Sequence, residues 1–599
     1  MQGFDTSSPQ NNGYPAMYIG STSGGFVIGK NNLPNGRGDN NFEFVDNLAF
    51  RKGAHSMKVG ADVVRFQVNR FNNSTYRGSY TFSARYGGFA FAEFMMGMPE
   101  SESRAVGDTH SFQRWDSIAG FFQDDWKATG RLTLNLGVRY EIFTSVSDPV
   151  ANKWVSFDPQ TGEILIVGNG SNPRQNYLLP QTQFPALAAL AKTIPTRYLN
   201  DNNVWNNDYN NFAPRIGFAY RLGNASVLRG GYAVFFDMPY PNLGINGLGT
   251  SYPFSITQTA TGNANAPNLF ITGDPLASAT GGTVSPTGVN PNMKTGYVSN
   301  WTLGFQRNLA NNLLLDVNYV GNRSLKLNRT RNINQPLTDG SSASVASRRP
   351  YPLYGNITIL DGSVMGNMNS LQTKLEQRFS RGLQYTVAYT WSHSMDDDQS
   401  VQNVYNIRAA RGSSTFDVRH RFVANYVYDL PFGAGRQFAA SARRAVNAII
   451  GNWQMTSILT LQTGNPLTAT LSGNVSNVGG TDRPDAVAGQ NPNLPSDQRT
   501  PIHWFNTAAF ATPATPNHWG NAGSGTIEGP GVTQLDFSLF KNFPFSEKSR
   551  LQMRAEVFNI LNHPNFALPN VTINSSSVGQ ITSTNTSSRQ IQLGMRLTF

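Results

Sequence analysis

The sequence predicts an all-β chain, an antiparallel transmembrane β-barrel of the outer-membrane type. About 15–16 strands are expected, with long extracellular loops and short periplasmic turns, and since bacterial barrels carry even strand numbers, a count of 15 means one strand missed or some missing. Three observations carry this prediction. Charged residues make up only 14% of the chain while aromatics reach 12%, against about 25% charged residues in ordinary soluble domains. Segment after segment alternates apolar and polar residues with period 2, the mark of a strand with one greasy and one wet face. Short turns rich in Gly, Asn and Ser alternate with long polar loops, and loops of that length are uncommon in compact soluble domains. A soluble β-sandwich or propeller shares the composition but would use its apolar face as a packed core. The apolar faces here end in Tyr, Trp and Phe, which is how strands meet the two membrane interfaces, and this favours lipid.

Taken in chain order, strands are expected near 42–52, 54–70, 111–127, 131–145, 211–222, 225–238, 296–309, 312–325, 369–380, 383–395, 417–431, 450–463, 533–543, 549–561 and 589–599. In the fourth, Leu132, Leu134, Leu136, Val138 and Tyr140 share one face, and Thr133, Asn135, Gly137, Arg139 and Glu141 the other. In the eighth, Leu313, Leu315, Val317 and Tyr319 oppose Asp316 and Asn318. In the tenth, Leu383, Tyr385, Val387, Tyr389 and Trp391 oppose Gln384, Thr386, Thr390 and Ser392. The eleventh sets Phe422, Ala424, Tyr426, Tyr428 and Leu430 against Arg421, Asn425 and Asp429, and the fourteenth sets Leu551, Met553, Ala555 and Val557 against Gln552, Arg554 and Glu556. The last places Ile591, Leu593, Met595, Leu597 and Phe599 on one face. Free termini usually fray, so so regular a terminal strand is expected to sit between two neighbours.

Turns fall at 128–131, 221–226, 307–312, 379–383 and 544–550, where Gly, Asn and Ser supply the backbone angles a tight hairpin needs. Long polar segments lie near 145–210, 239–294, 328–368 and 464–532, with short loop helices expected at 88–97 and 185–194. No stretch is apolar enough for a transmembrane helix. Cysteine is absent, which removes thiol chemistry and disulfides. The net charge of +11 is scattered along the strands, not gathered in a basic block, so no nucleic-acid partner is expected. The N-terminal "MQGFDTSSPQNNGYPAM" has no basic segment followed by an apolar core and is not a signal peptide. An exported barrel needs one, so either export is the wrong reading or the chain is the C-terminal part of a longer protein.

Candidate chemistry is sparse. His393 with Asp396, Asp397 and Asp398 offers oxygen ligands for a hard cation. The group lacks calcium-loop spacing, and a solvated loop leaving a strand is the favoured reading. Asp417, Arg419, His420 and Arg421 form either a lumenal ion pair or, less favoured, a substrate contact. The aromatic loop segments 503–510 and 517–523 suit sugar stacking or pore capping, although packing of the loop on itself is the favoured role. No hydrolase, zinc-protease or phosphate-loop motif occurs. The expectation is therefore no enzyme, no catalytic residue, no cofactor and no metal.

Five segments in order resemble one family. "FFQDDWKATGRLTLNLGVRYE" (121–141) and "FAPRIGFAYRLGNASVLRGGYAVFFD" (212–237) resemble successive hairpins of TonB-dependent outer-membrane transporters. "FAEFMMGMPES" (91–101), "GNWQMTSILTLQTGNPL" (451–467) and "FNILNHPNF" (558–566) resemble its large Oar-like branch. The resemblance implies a barrel domain over 41–599 preceded by an irregular segment, 1–40. It implies a full barrel of about 22 strands, of which this chain holds roughly the C-terminal two-thirds. In the family a signal peptide, a TonB-contacting segment and a plug precede the barrel. The implied function is uptake of an unidentified solute across the outer membrane. The implied partners are outer-membrane lipid, lipopolysaccharide, and the TonB complex through N-terminal parts only. The barrel-assembly machinery would read Ile591, Leu593, Met595, Leu597 and Phe599 by strand addition; the plainer reading makes Phe599 a lipid-facing residue at the interface, and the two are compatible. A passive channel or a surface scaffold or adhesin is the alternative, and a soluble carbohydrate-binding or hydrolytic β-protein the remaining one.

Overall fold

The computed structural model describes residues 14–20, 25–29, 35–72, 77–107, 109–150, 153–169, 192–201, 203–238, 247–263, 269, 283–546 and 548–599. Fifteen strands form one antiparallel meander in which each pairs with its neighbours in the series. The first five are β1 (Asn35–Lys52), β2 (His55–Asn72), β3 (Ser111–Trp126), β4 (Leu132–Phe143) and β5 (Asn211–Leu222). Next come β6 (Ser226–Asp237), β7 (Gly296–Ala310), β8 (Leu313–Asn332), β9 (Thr358–Ser380) and β10 (Leu383–Asp396). The series ends with β11 (His420–Asp429), β12 (Trp453–Gln462), β13 (Val532–Pro544), β14 (Arg550–Phe558) and β15 (Gln590–Thr598).

Register fixes which side chains share a face, because directly opposed residues point the same way. Leu136 opposes Ile216, Ile216 opposes Tyr232, Tyr232 opposes Trp301, and Trp301 opposes Gly321. The same bookkeeping links Leu539, Ala555 and Leu593. These apolar rows are exposed, Leu593 at 77% and Ile216 at 56%, so no second protein layer covers them. Such a face is stable only against hydrocarbon. Where a row carries glycine, a neighbouring ring fills the gap: the Trp301 indole lies where a Cβ on Gly321 would sit, and the Phe218 ring does the same at Gly230.

Adjacent strands are joined at one end by turns of a few residues. Arg381 and Gly382 both have positive φ, 51° and 83°, the backbone of a two-residue hairpin whose twist matches the strands. A Cβ at Gly382 would approach the Asp429 carbonyl oxygen to 2.9 Å. The β11–β12 connection is the exception at this end and carries a short helix, α2 (Arg444–Ile450).

At the other end the long connections build a packed cap. Ser255–Thr261, Ser101–Gly107, Ser79–Phe82, Ala16–Ile19 and Phe26–Ile28 form a five-stranded sheet. The helix α1 (Ala90–Met95) lies within the span expected to be helical, and its Phe94 meets Phe82 edge to face at 5.4 Å. A second sheet joins Trp154–Asp158, Glu163–Asn169 and Thr196–Asp201 over a core of Phe157, Ile164, Ile166, Phe254, Tyr354 and Ile357. The helix expected at 185–194 lies mostly outside the described residues.

The expectation that the terminal strand sits between two neighbours is corrected. β15 pairs with β14, and among the described residues no ladder joins it to β1, so the sheet is not closed. The regular alternation of β15 reflects its apolar face and its single partner, not enclosure from both sides.

Candidate functional site: the polar wall and its cap

The face opposite the apolar rows carries the charges and amides. Period 2 puts residues i and i+2 on the same side of a strand, and the structure pairs them repeatedly along individual strands. Arg139 Nε bonds Glu141 at 2.7 Å, Lys374 Nζ bonds Glu376 at 3.0 Å, and Arg554 approaches Glu556 at 3.4 Å. The Asn318 amide donates to Asp316 at 2.8 Å and that of Gln534 to Asp536 at 3.1 Å. Cross-strand links join these ladders. Arg139 reaches Asp62 at 3.3 Å, Asn135 donates to Asp125 at 2.6 Å, and Gln454 donates to Asp429 at 2.8 Å. Arg215 lies over the Phe235 ring at 5.1 Å and Lys58 over Phe121 at 5.8 Å. Ion pairs this wet contribute about 0–1 kcal/mol each. Their main effect is to give the inner wall a hydrated surface of alternating charge and amide, suited to a polar solute.

Above the wall, charges are buried. Arg329 Nη2 meets Asp397 at 2.5 Å, with both side chains almost fully buried, and the same carboxylate oxygen accepts the Met365 amide at 2.9 Å. Arg331 meets Asp361 at 2.5 Å. Three long connections are tied by amides. Gln335 Nε2 donates to the Gln402 carbonyl at 2.9 Å, and Gln402 Nε2 donates to the Gly520 carbonyl at 2.7 Å. The Arg483 amide donates to Gln402 at 3.0 Å, and its guanidinium to Ser524 and to the Ala409 carbonyl, both at 3.0 Å. Burial pushes the Arg483 pKa down. In the cap core, burial pushes the Tyr354 and Tyr252 phenols up to about 12.

The acidic triplet beside His393 is only in part a solvated segment: Asp398 is half exposed, whereas Asp397 is buried. Asp397 is the buried partner of Arg329, Asp396 accepts from Gln399 at 3.2 Å, and His393 Nε2 lies 3.2 Å from Ser413 Oγ. Among the described residues no cluster of three or more His, Asp or Glu is placed to hold a metal. The group at 417–421 is divided. Asp417 is buried, accepts the Ser394 amide at 2.7 Å and pairs with Arg419 at 3.5 Å. His420 lies on the apolar side, its Nδ1 2.8 Å from the Tyr389 hydroxyl, while Arg421 falls on the polar side. In the aromatic loop, Phe505 and Phe510 are buried with Ala509 and Ile527, and Trp504 Nε1 donates to the Glu528 carbonyl at 2.9 Å. Loop packing, the favoured reading, is what this segment does. The terminal residues Ile591, Leu593, Met595, Leu597 and Phe599 are all exposed on the apolar side of an edge strand, Phe599 at 93%.

A β-wall with a lipid-facing exterior, a polar interior, short turns at one rim and a folded cap at the other defines an outer-membrane β-barrel. The family model described as Outer membrane beta barrel domain matches residues 1–592. The chain belongs to that family, and its place is the cell outer membrane.

Several solved structures resemble this chain, and the first of those below shares its fold. The outer membrane transporter YddB from Escherichia coli superposes with a TM-score of 0.50 at 12% identity, over 98% of this chain and 58% of that one. The siderophore receptor PirA from Acinetobacter baumannii gives 0.45 at 11% identity, over 98% and 58%. The ferripyoverdine receptor of Pseudomonas aeruginosa gives 0.45 at 10%, over 97% and 52%. The chain thus spans little more than half the length of these proteins. A search of the curated proteins finds no match.

Proposed function

We propose that this chain is the wall of an outer-membrane transporter that takes up a polar solute. Uptake would be energised through the TonB complex in the longer protein implied by the sequence motifs. The observation that carries the reading is the two-faced sheet, apolar rows outside and repeated pairs of charges and amides inside. The cap above it is folded and tied by buried polar links, which suits selective capture better than an open pore. The fold shared with an outer membrane transporter supports the same reading. No resident cofactor and no catalysis belong to it.

Solute accumulation by cells producing the full-length protein, with and without a functional TonB complex, tests this reading. Accumulation that survives loss of TonB, or a steady conductance of the full-length protein in planar bilayers, favours the passive channel instead. For biogenesis we propose that the exposed edge of β15, with Ile591, Leu593, Met595, Leu597 and Phe599, is the segment the barrel-assembly machinery pairs with by strand addition.

A further inference from the structure

Lys541, a charged residue on the lipid-facing side, demands an account. Lys541 shares its face with Leu539 and Phe543 and opposes Trp453 and Met553, yet it is 5% exposed. Its ammonium donates to the Ile449 carbonyl at 3.2 Å and also to the Gly451 carbonyl, the uncapped end of α2. It lies 5.1 Å from the Trp453 ring centre and 5.3 Å from that of Phe543. Trp453 Nε1 donates to the same Ile449 carbonyl at 2.8 Å. A cation at the C-terminal end of a helix is favourable. Here it fastens α2 against the outer wall at the short-turn rim.

Between α2 and the wall runs an apolar groove of about 850 Å³, lined by Ile449, Trp453, Leu539, Met553, Leu593 and Met595 among others. Arg444 stands one helical turn before Ala448, which lines the groove, and so shares its face of α2; Arg444 and its neighbour Arg443 are exposed, and the whole connection from 430 to 452 contains no acidic residue. Val446 and Ile449 of α2 are exposed as well, so the helix presents an apolar side and two arginines together. That combination is the pattern of an interfacial element that meets acyl chains and anionic headgroups at one depth.

We propose that this groove is a binding site for one anionic phospholipid of the periplasmic leaflet. An acyl chain would lie over Leu539, Met553 and Met595, and the phosphate at Arg443 and Arg444. The inference rests on the membrane-spanning reading of the sheet. Charge complementarity selects an anionic lipid over a zwitterionic one.

The test uses the full chain reconstituted in zwitterionic vesicles doped with brominated-chain phosphatidylglycerol or brominated-chain phosphatidylcholine. Trp453 quenching is isolated as the difference between the wild type and Trp453→Phe. Phosphatidylglycerol should be preferred by roughly 25-fold at low salt, since each of the two basic residues is worth about a fivefold change and the factors multiply. Arg443→Gln with Arg444→Gln should bring the ratio to about one. Equal quenching by the two lipids in the wild type, or an unchanged preference in the double variant, overturns the site while leaving the barrel in the bilayer. Shielding of Trp453 from both lipids in a dimeric species assigns the groove to a second copy and also overturns it. Absence of quenching at every tryptophan overturns the membrane reading with it.

Discussion

Removing one partner of the Arg329–Asp397 pair should loosen the top of β8, β9 and β10. The two groups touch at 2.5 Å with side-chain exposures of 3% and 2%. Asp397→Asn keeps an oxygen for the Met365 amide but leaves the guanidinium without its buried counter-ion. Asp398, at 3.6 Å, is half exposed and only partly compensates. Among the described residues, Arg329 Nε and Nη1 have no hydrogen-bond partner to fall back on. Arg329→Met leaves the converse, a buried carboxylate. Orphaning a buried charge costs about 3–5 kcal/mol, whereas removing both charges with shape retained is nearly neutral. Each single substitution should therefore cost about 3 kcal/mol, and the double variant Arg329→Met, Asp397→Asn should cost no more than either alone. Native-state amide exchange at Met365 and the neighbouring β9 and β10 amides, in refolded protein, reads this opening locally. Additive costs, or single variants within about 0.5 kcal/mol of wild type, would refute the reasoning.

Three other outcomes follow from the same geometry. Leu303→Arg, on the lipid-facing row, should destabilise folding into vesicles by about 2–4 kcal/mol, while Thr302→Arg, one residue along on the inner face, should cost under about 1 kcal/mol; equal costs would contradict the assigned faces. Folded Tyr252 and Tyr354 hold their protons to about 12, against an ordinary 10.0. Between pH 10 and 12 the unfolded chain therefore binds fewer protons than the folded one, so cap stability is full below pH 10 and falls across that window. Phenolate absorbance should show a late-titrating fraction that disappears on unfolding. Deleting Phe599 should slow assembly in cells while leaving unassisted refolding into detergent unchanged, as scored by heat-modifiable mobility on gels; an equal loss in both settings would assign Phe599 to stability instead.

The wall was legible because lipid imposes period 2 directly on the sequence. The strand expected at 211–222 is Asn211–Leu222, and the one expected at 383–395 is Leu383–Asp396. Accuracy fails where lipid no longer governs the pattern. β8 continues to Asn332 and β9 begins at Thr358, because beyond the bilayer the ladder is held by cap contacts among polar residues such as Arg329, Arg331 and Asp361. The cap strands are short, and Trp154–Asp158, Glu163–Asn169, Thr196–Asp201 and Ser255–Thr261 fall within the long polar segments that read as loops. "WVSFDPQTGEILIV" does carry a hairpin signal, a Pro/Gly turn between two apolar runs, that could have found Trp154–Asp158 and Glu163–Asn169. Nothing local foretells the Arg329–Asp397 contact, whose members lie 68 positions apart. The seven residues of α2 are too few for a helical period to show. The inner-wall pairs sat in the sequence all along as i, i+2 couples such as Arg139 with Glu141.

The meander makes every ladder one between successive strands, whatever separates them in the chain. A two-residue turn joins β9 to β10, while the segment from 463 to 531, roughly thirtyfold longer, joins β12 to β13 in the same way. Closing the longer span costs only about 3 kcal/mol more, since the penalty grows with the logarithm of length. Insertions and deletions in the outer connections are therefore nearly independent of the scaffold beneath them, and descendants of such a chain can exchange what they recognise without relearning how to fold.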